Sequence, residues 1–280
     1  MKNLLAVFTF AVLLLSQVVN AELPPVNDGS HHGDPPYLLE KGWTPLLNGR
    51  NLDGWEYMEP EKGELATTKG VFWGGPDNPE QLTAEPGQGD RMYNTAGGTN
   101  SASNIFTTKK FGDLELYVEF MVAANSNAGV YVHGLYEIQI WDSYGKDLSD
   151  QITDICGAVY NYEFTQEEMK DIRAKGERPS YIGGIAPMVR VDRPAGQWQS
   201  FQIWFKAPRF DSSGNKIANA KFIRVLHNGV LIHENIEREG PTRAPMKIQE
   251  AVMNPIMLQG DHGAIAFRNI YIRPLRPLAQ

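Results

Sequence analysis

The sequence predicts an all-β fold, an antiparallel β-sandwich with one short helical excursion, and three observations carry that prediction. Residues 114 to 122, LELYVEFMV, alternate apolar and polar side chains as a strand with one buried face does. From Gly42 onward, short aromatic-rich stretches are separated by Gly, Pro, Asn and Asp. Residues 227 to 230, HNGV, hold the Asn-Gly pair that closes two-residue hairpins, because both residues tolerate positive φ.

The chain opens with Lys2, an apolar run from Leu4 to Leu15 and the small-residue pattern Val19-Asn20-Ala21. This reads as a cleaved secretory leader over residues 1–21. The run is shorter than the ~20 residues of a membrane span, and no cysteine near Ala21 offers a lipid site, so a secreted or periplasmic protein with no transmembrane segment is expected. Residues 22–41, rich in Pro, Gly and Asp, read as a linker or arm, with His31 and His32 as solvated residues. A single domain is expected over 42–277.

Within it, strands are expected at 68 to 74, 104 to 109, 113 to 122, 128 to 134, 136 to 142, 156 to 162, 198 to 206, 219 to 227, 229 to 235, 255 to 260 and 264 to 273. The helical excursion is TQEEMKDIRAKG, 165 to 176, with Thr165 as N-cap, Glu168 three residues on and Gly176 as the stop.

Charge and cysteine usage narrow the function. The formal net charge is −7, and −8 once Lys2 leaves with the leader, which disfavours nucleic acid and anionic membrane as partners. One cysteine, Cys156, forms no intrachain disulfide and reads as a buried structural thiol. No G-x-S-x-G, CxxC, HExxH or phosphate loop is present, so serine hydrolase, zinc protease and nucleotide chemistry are disfavoured.

The unusual stretch is YEIQIWDSYG, 136 to 145. Side chains two apart on a strand share a face, so Glu137 and Gln139 point together, with Trp141 if the strand stays regular. Tyr131 and His133 have the same parity on the preceding strand, and a tight hairpin at Gly134-Leu135 is expected to lay His133 beside Glu137. Asp142 is an odd step away. Either a bulge turns it towards Glu137 or it caps the turn at DSYG, and the sequence leaves both open.

His262 sits in the Gly-flanked turn GDHG, where backbone can approach a ligand closely. Arg268, between apolar residues, calls for a carboxylate partner within the protein or an anionic ligand. Trp198 and Trp204 read as core, whereas Trp73 and Trp141 are candidate sugar platforms.

Taken in order, the motifs GWTPLLNGRNLDGW (42 to 55), FGDLELYVEFMVAANSNAGVYVHG (111 to 134), YEIQIWDSYG, RPAGQWQSFQIWF (193 to 205), HNGVLIHEN and LQGDHGAIAFRNIYIRPL resemble the 3-keto-disaccharide hydrolase family. The resemblance implies the jelly roll of the concanavalin A-like lectins and glucanases. It also implies cleavage of glycosides oxidised at C3, where the ketone acidifies the C2 proton and the C1 substituent leaves by elimination before water adds.

Such a site requires a base, an acid for the leaving oxygen, and donors or a cation at the enolate oxygen. Glu137, His133, Asp142 and His262 are the catalytic candidates. Gln139, Trp141, Tyr131, Tyr144, Trp73 and Arg268 are the candidates for binding an oxidised di- or oligosaccharide or glycoside. A divalent metal ion held by some of these is left open, since no ligand spacing shows one. Arg190, where a small polar residue is expected, and the 165 to 182 excursion bear on substrate choice.

Two rivals stand beside this reading. EIQIWD is similar to the E-x-D-x-x-E strand of jelly-roll glucanases, which would require a second carboxyl about 5 to 5.5 Å or 6.5 to 9.5 Å from the first. A non-catalytic carbohydrate-binding module would need only the same polar, aromatic face.

Overall fold

A computed structural model of the chain describes residues 41–62, 65–94, 102–148, 152–177 and 182–276. The expected leader and almost all of the expected arm lie outside the described residues. In chain order the strands are β1 (Thr44–Pro45), β2 (Trp55–Tyr57), β3 (Ala66–Thr68), β4 (Val71–Trp73), β5 (Leu82–Ala84), β6 (Arg91–Asn94), β7 (Ile105–Thr107), β8 (Leu114–Val122), β9 (Asn127–Val132), β10 (Tyr136–Trp141), β11 (Gln199–Lys206), β12 (Arg209–Phe210), β13 (Lys216–Ala218), β14 (Ala220–His227), β15 (Val230–Arg238), β16 (Met257–Leu258) and β17 (Ile265–Pro274).

They form an eight-stranded sheet, β15-β14-β11-β8-β17-β6-β3 with β1 beside β17, and a five-stranded sheet, β10-β9-β16-β7-β2. The strand pairs are antiparallel, and β4-β5 and β12-β13 are separate hairpins. Alternation decides which residues lie between the sheets. Leu114, Leu116, Val118, Phe120 and Val122 of β8 meet Ala128, Val130 and Val132 of β9 and Tyr136, Ile138 and Ile140 of β10 in one apolar core. The all-β jelly-roll expectation is met.

The opposite face of β8, expected to be polar, is buried as well, because a central strand has neighbours stacked over both faces. Its acids are neutralised across the sheet. Glu119 Oε2 accepts from Arg268 Nε at 2.5 Å and Glu115 Oε2 from Arg273 Nε at 2.6 Å. Trp198 and Trp43 each cover one of these guanidinium groups, with the carbon 4.1 and 4.2 Å from the ring centres.

The helix α1 (Gln166–Ala174) forms where expected. Thr165 and Glu168 make a reciprocal capping box, and Gly176, at φ 72°, lets Glu177 N and Gly176 N bond back to Ile172 O and Arg173 O. Residues 156 to 162, expected as a strand, run beside β10 through isolated bridges only, Val159 pairing with both Ile138 and Ile185. That segment covers the open edge of β10. Among the described residues no helix is long and apolar enough to cross a membrane.

Candidate active site on the outer face of the five-stranded sheet

With the even-numbered residues of β9 and β10 committed to the core, the odd-numbered ones must face outward. The register sets Tyr131 opposite Glu137, Gly129 opposite Gln139 and Asn127 opposite Trp141. Over this strip lies a cleft of about 190 Å³ lined by Asn127, Tyr131, Glu137, Gln139, Tyr160, Arg243, Ala244, Gln259 and His262.

Three distant segments build its walls. Tyr160 arrives on the edge segment, whose amide donates to Glu137 O at 3.2 Å. Arg243 follows Thr242, whose hydroxyl accepts from Glu137 N at 3.1 Å and donates to Leu135 O at 3.0 Å. Gln259 and His262 come from the loop after β16, held by Gln259 N to Gly129 O and Asn127 N to His262 O, both 2.9 Å. The glycines of GDHG serve this anchoring. A Cβ on Gly260 would lie 2.9 Å from Leu65 Cδ1, and one on Gly263, at φ 127°, would lie 2.7 Å from Ser126 Oγ. The close approach made by these two glycines is to the protein's own chain.

Glu137 is the dominant electrostatic feature. Only 2% of it is exposed, and burial pushes its carboxyl up to about 8, with the neighbouring Tyr131 phenol opposing and the charge of Asp261 adding. The side chain lies across Gly129, where any Cβ would stand 2.1 Å from Glu137 Oε1. Glu137 Oε2, Gln139 Oε1 and Asn127 Oδ1 are buried without hydrogen-bond partners.

Opposite, Asp261 Oδ1 lies 2.6 Å from His262 Nδ1. Gln259 Nε2 stands 3.2 Å from the same nitrogen, so two neighbours in the loop after β16 orient the His262 ring. The Tyr131 hydroxyl donates to Arg243 O at 3.2 Å. The Tyr160 hydroxyl is pushed up to about 12 by burial and by Glu137 and Asp154. Both phenols therefore stay protonated, and Arg243 supplies the cleft's cation.

Of the residues singled out in the sequence, Glu137, Gln139, Tyr131 and His262 come together here. Trp141 shares their face but lies beyond the cleft lining, and Tyr144 is exposed in the turn that follows. His133 is not beside Glu137. It sits inside the hairpin turn at φ 57°, where strand parity no longer applies, packs 5.0 Å from the Phe205 ring and bonds through Nε2 to Gly112 O at 3.1 Å.

Asp142 takes the structural alternative, accepting from Asn125 N and Lys146 Nζ, each at 3.0 Å. Arg268 takes the carboxylate pairing with Glu119 on the other sheet. Trp73 donates to Pro79 O at 2.7 Å and packs over the outer face of the eight-stranded sheet. Arg190 clamps the turn after β10 through Lys146 O at 2.8 Å and Asp192 at 3.1 Å. A larger cleft of about 310 Å³ lies beside Arg91 and Arg268, but both guanidinium groups there pair with acids, Asp90 and Glu119.

Asn127, Tyr160, Arg243 and Gln259 were missed. Only Gly129 carried a usable signal, as an isolated glycine in a strand marks a close approach. Among the described residues no three His, Cys, Asp or Glu side chains stand together as a metal site. The donors that face the cleft are one carboxylate, one imidazole and amide oxygens.

A jelly-roll sandwich with a polar cleft on its outer sheet face defines the class. The sequence matches the family model described as 3-keto-alpha-glucoside-1,2-lyase-like domain over residues 42–273, and the chain belongs to that family. Two solved structures, each titled a "putative glycosyl hydrolase" from Parabacteroides distasonis ATCC 8503, share the fold. One is 23% identical with a TM-score of 0.54, covering 84% of this chain and 84% of its own. The other is 21% identical with a TM-score of 0.50, covering 83% and 99%. No curated protein matches the sequence.

Proposed function

We propose that the cleft cleaves the C1–O bond of 3-keto-glycosides by elimination followed by hydration. The observation that carries this reading is the pairing, in one cleft, of a buried carboxyl that burial pushes up to about 8 with an imidazole oriented through Nδ1 by Asp261. His262 removes the C2 proton, acidified by the neighbouring ketone. Arg243 and the phenols of Tyr131 and Tyr160 stabilise the charge that develops on the C3 oxygen. Glu137 gives its proton to the departing C1 oxygen as the C1–C2 double bond forms. Water then adds at C1 of the conjugated enone, C2 regains a proton, and the free 3-keto sugar results. Asp261 holds the orientation of His262.

A paired-carboxylate glycosidase is disfavoured because, among the described residues, Glu137 is the single carboxylic residue in the cleft lining, Asp142 being committed to Asn125 and Lys146 and Asp261 to His262. The test is incubation with a 3-keto-glycoside and its unoxidised parent in heavy water. Release from the oxidised substrate alone, with deuterium at C2 of the product, is expected. Product without C2 label, after correction for exchange of the free keto sugar, counts against elimination. No product from any glycoside moves the reading to a binding module.

A further inference from the structure

We infer that Asn127 and Gln139 form the specificity floor of the cleft, each accepting a hydrogen bond from a free hydroxyl of the bound sugar ring. The inference rests on the proposed function and deepens it.

Buried polar groups are nearly always satisfied, and an empty one costs free energy that a fold does not retain without compensation. Here the side-chain oxygens of Asn127 and Gln139 are both buried and unpaired, and both line the same cleft. They occupy diagonal positions on paired strands, Asn127 two residues along β9 from Gly129, the partner of Gln139. Diagonal neighbours lie about 7 to 8 Å apart, within reach of one ligand for long side chains.

Among the described residues neither oxygen has a partner; the carboxyl of Glu137 is seated over Gly129 and the phenol of Tyr131 bonds to Arg243 O. An amide oxygen only accepts, so the ligand edge that meets this floor must donate. A ketone, an ether or an esterified oxygen cannot do so, but a free hydroxyl can. The oxidised carbon is therefore placed against the opposite wall, where Arg243 and Tyr160 carry the donors. The ligand class is a neutral pyranose bearing one carbonyl and at least two unsubstituted hydroxyls besides it. A site that must hydrogen-bond a hydroxyl rejects analogues lacking it, because its own buried group is then left unpaired.

The test uses 1,5-anhydro-3-ketoglucitol, which has no leaving group at C1 and so binds without reacting, with its 2-, 4- and 6-deoxy derivatives. Calorimetry compares the full-length protein with Gln139→Met and Asn127→Leu, which keep side-chain volume and delete the acceptor. Each variant is expected to bind the parent about two- to tenfold more weakly. Two of the three deoxy probes are expected to show that loss against the unaltered protein, and one of them no further loss against each variant. Gln139→Met is also expected to melt about 2 to 4 °C higher, since it removes an unpaired buried oxygen.

A parent probe that binds all three proteins equally overturns the floor and leaves the proposed reaction standing. A parent probe that binds none of them overturns both. An unchanged melting temperature shows the oxygens to be satisfied already and overturns the premise.

Discussion

Replacing Gly129 by alanine tests whether the strand was built around Glu137. An alanine Cβ would lie 2.1 Å from Glu137 Oε1, 2.8 Å from Cδ and 2.9 Å from Cγ, far inside contact distance. The three nearest atoms all belong to one side chain, so either the carboxyl leaves its seat or the strands part. Overpacking of this kind costs about 1 to 3 kcal/mol. The substitution by itself returns about 0.5 to 1 kcal/mol, since glycine weakens a strand interior relative to alanine.

The net expectation is a loss of about 0.5 to 2 kcal/mol, equivalent to about 1 to 8 °C in melting temperature for a chain of this size. In a Glu137→Ala background the obstruction is gone, and the same change should become neutral or stabilising. The assay is thermal and urea denaturation of the four proteins of this double-mutant cycle, with a coupling energy of about 1 to 3 kcal/mol expected. An equal effect of Gly129→Ala in both backgrounds would refute the reasoning, because the glycine would then serve the strand and not the carboxyl.

Other outcomes follow from the same geometry. Glu137→Gln should lower turnover on a 3-keto-glycoside by about 10² to 10⁴ with the fold intact, measured by leaving-group release and circular dichroism. Because the folded carboxyl, at about 8, stands above its ordinary 4.5, its contribution to stability is complete below about 4.5 and is lost as pH rises through 8. Urea midpoints of Glu137→Gln should therefore fall less than those of the unaltered protein between those values.

His227 and His233, held down by burial to about 3 and about 4, act in the opposite sense. Their folded values lie below 6.5, so stability is full above 6.5 and is lost as pH falls towards those values, a decline best read in the Glu137→Gln background. Glu119→Ala should cost about 3 to 5 kcal/mol in urea denaturation, because it strands the buried Arg268. The same variant should leave the kcat of the folded fraction unchanged, and a selective loss of substrate binding would instead restore Arg268 as a ligand contact.

The parts of this protein that the sequence determined are those fixed by neighbours in the chain. The alternation of β8 follows from side-chain period alone, and the capping box of α1 is complete within Thr165 to Glu168. The shared outward face of Glu137 and Gln139 is strand parity. The same local rule failed where the backbone left the regular strand. His133, at positive φ inside the turn, lost its parity, and Asp142, one residue past the end of β10, turned to the loop before β9. Strands of two to four residues, such as β1, β2, β5, β6, β12 and β13, hold too few residues to show a period.

Only the tertiary structure decided which acids are consumed and which remain free. Glu115 and Glu119 read as a solvated face until β17 brought Arg273 and Arg268 beside them. Glu137 stood out in the sequence as a polar-face acid, but its burial came only from Tyr160, Arg243 and His262, which arrive from three separate segments. Burial and pairing depend on groups far apart in the chain: burial raises both carboxyls, but only Glu119 has a guanidinium, that of Arg268, to oppose it.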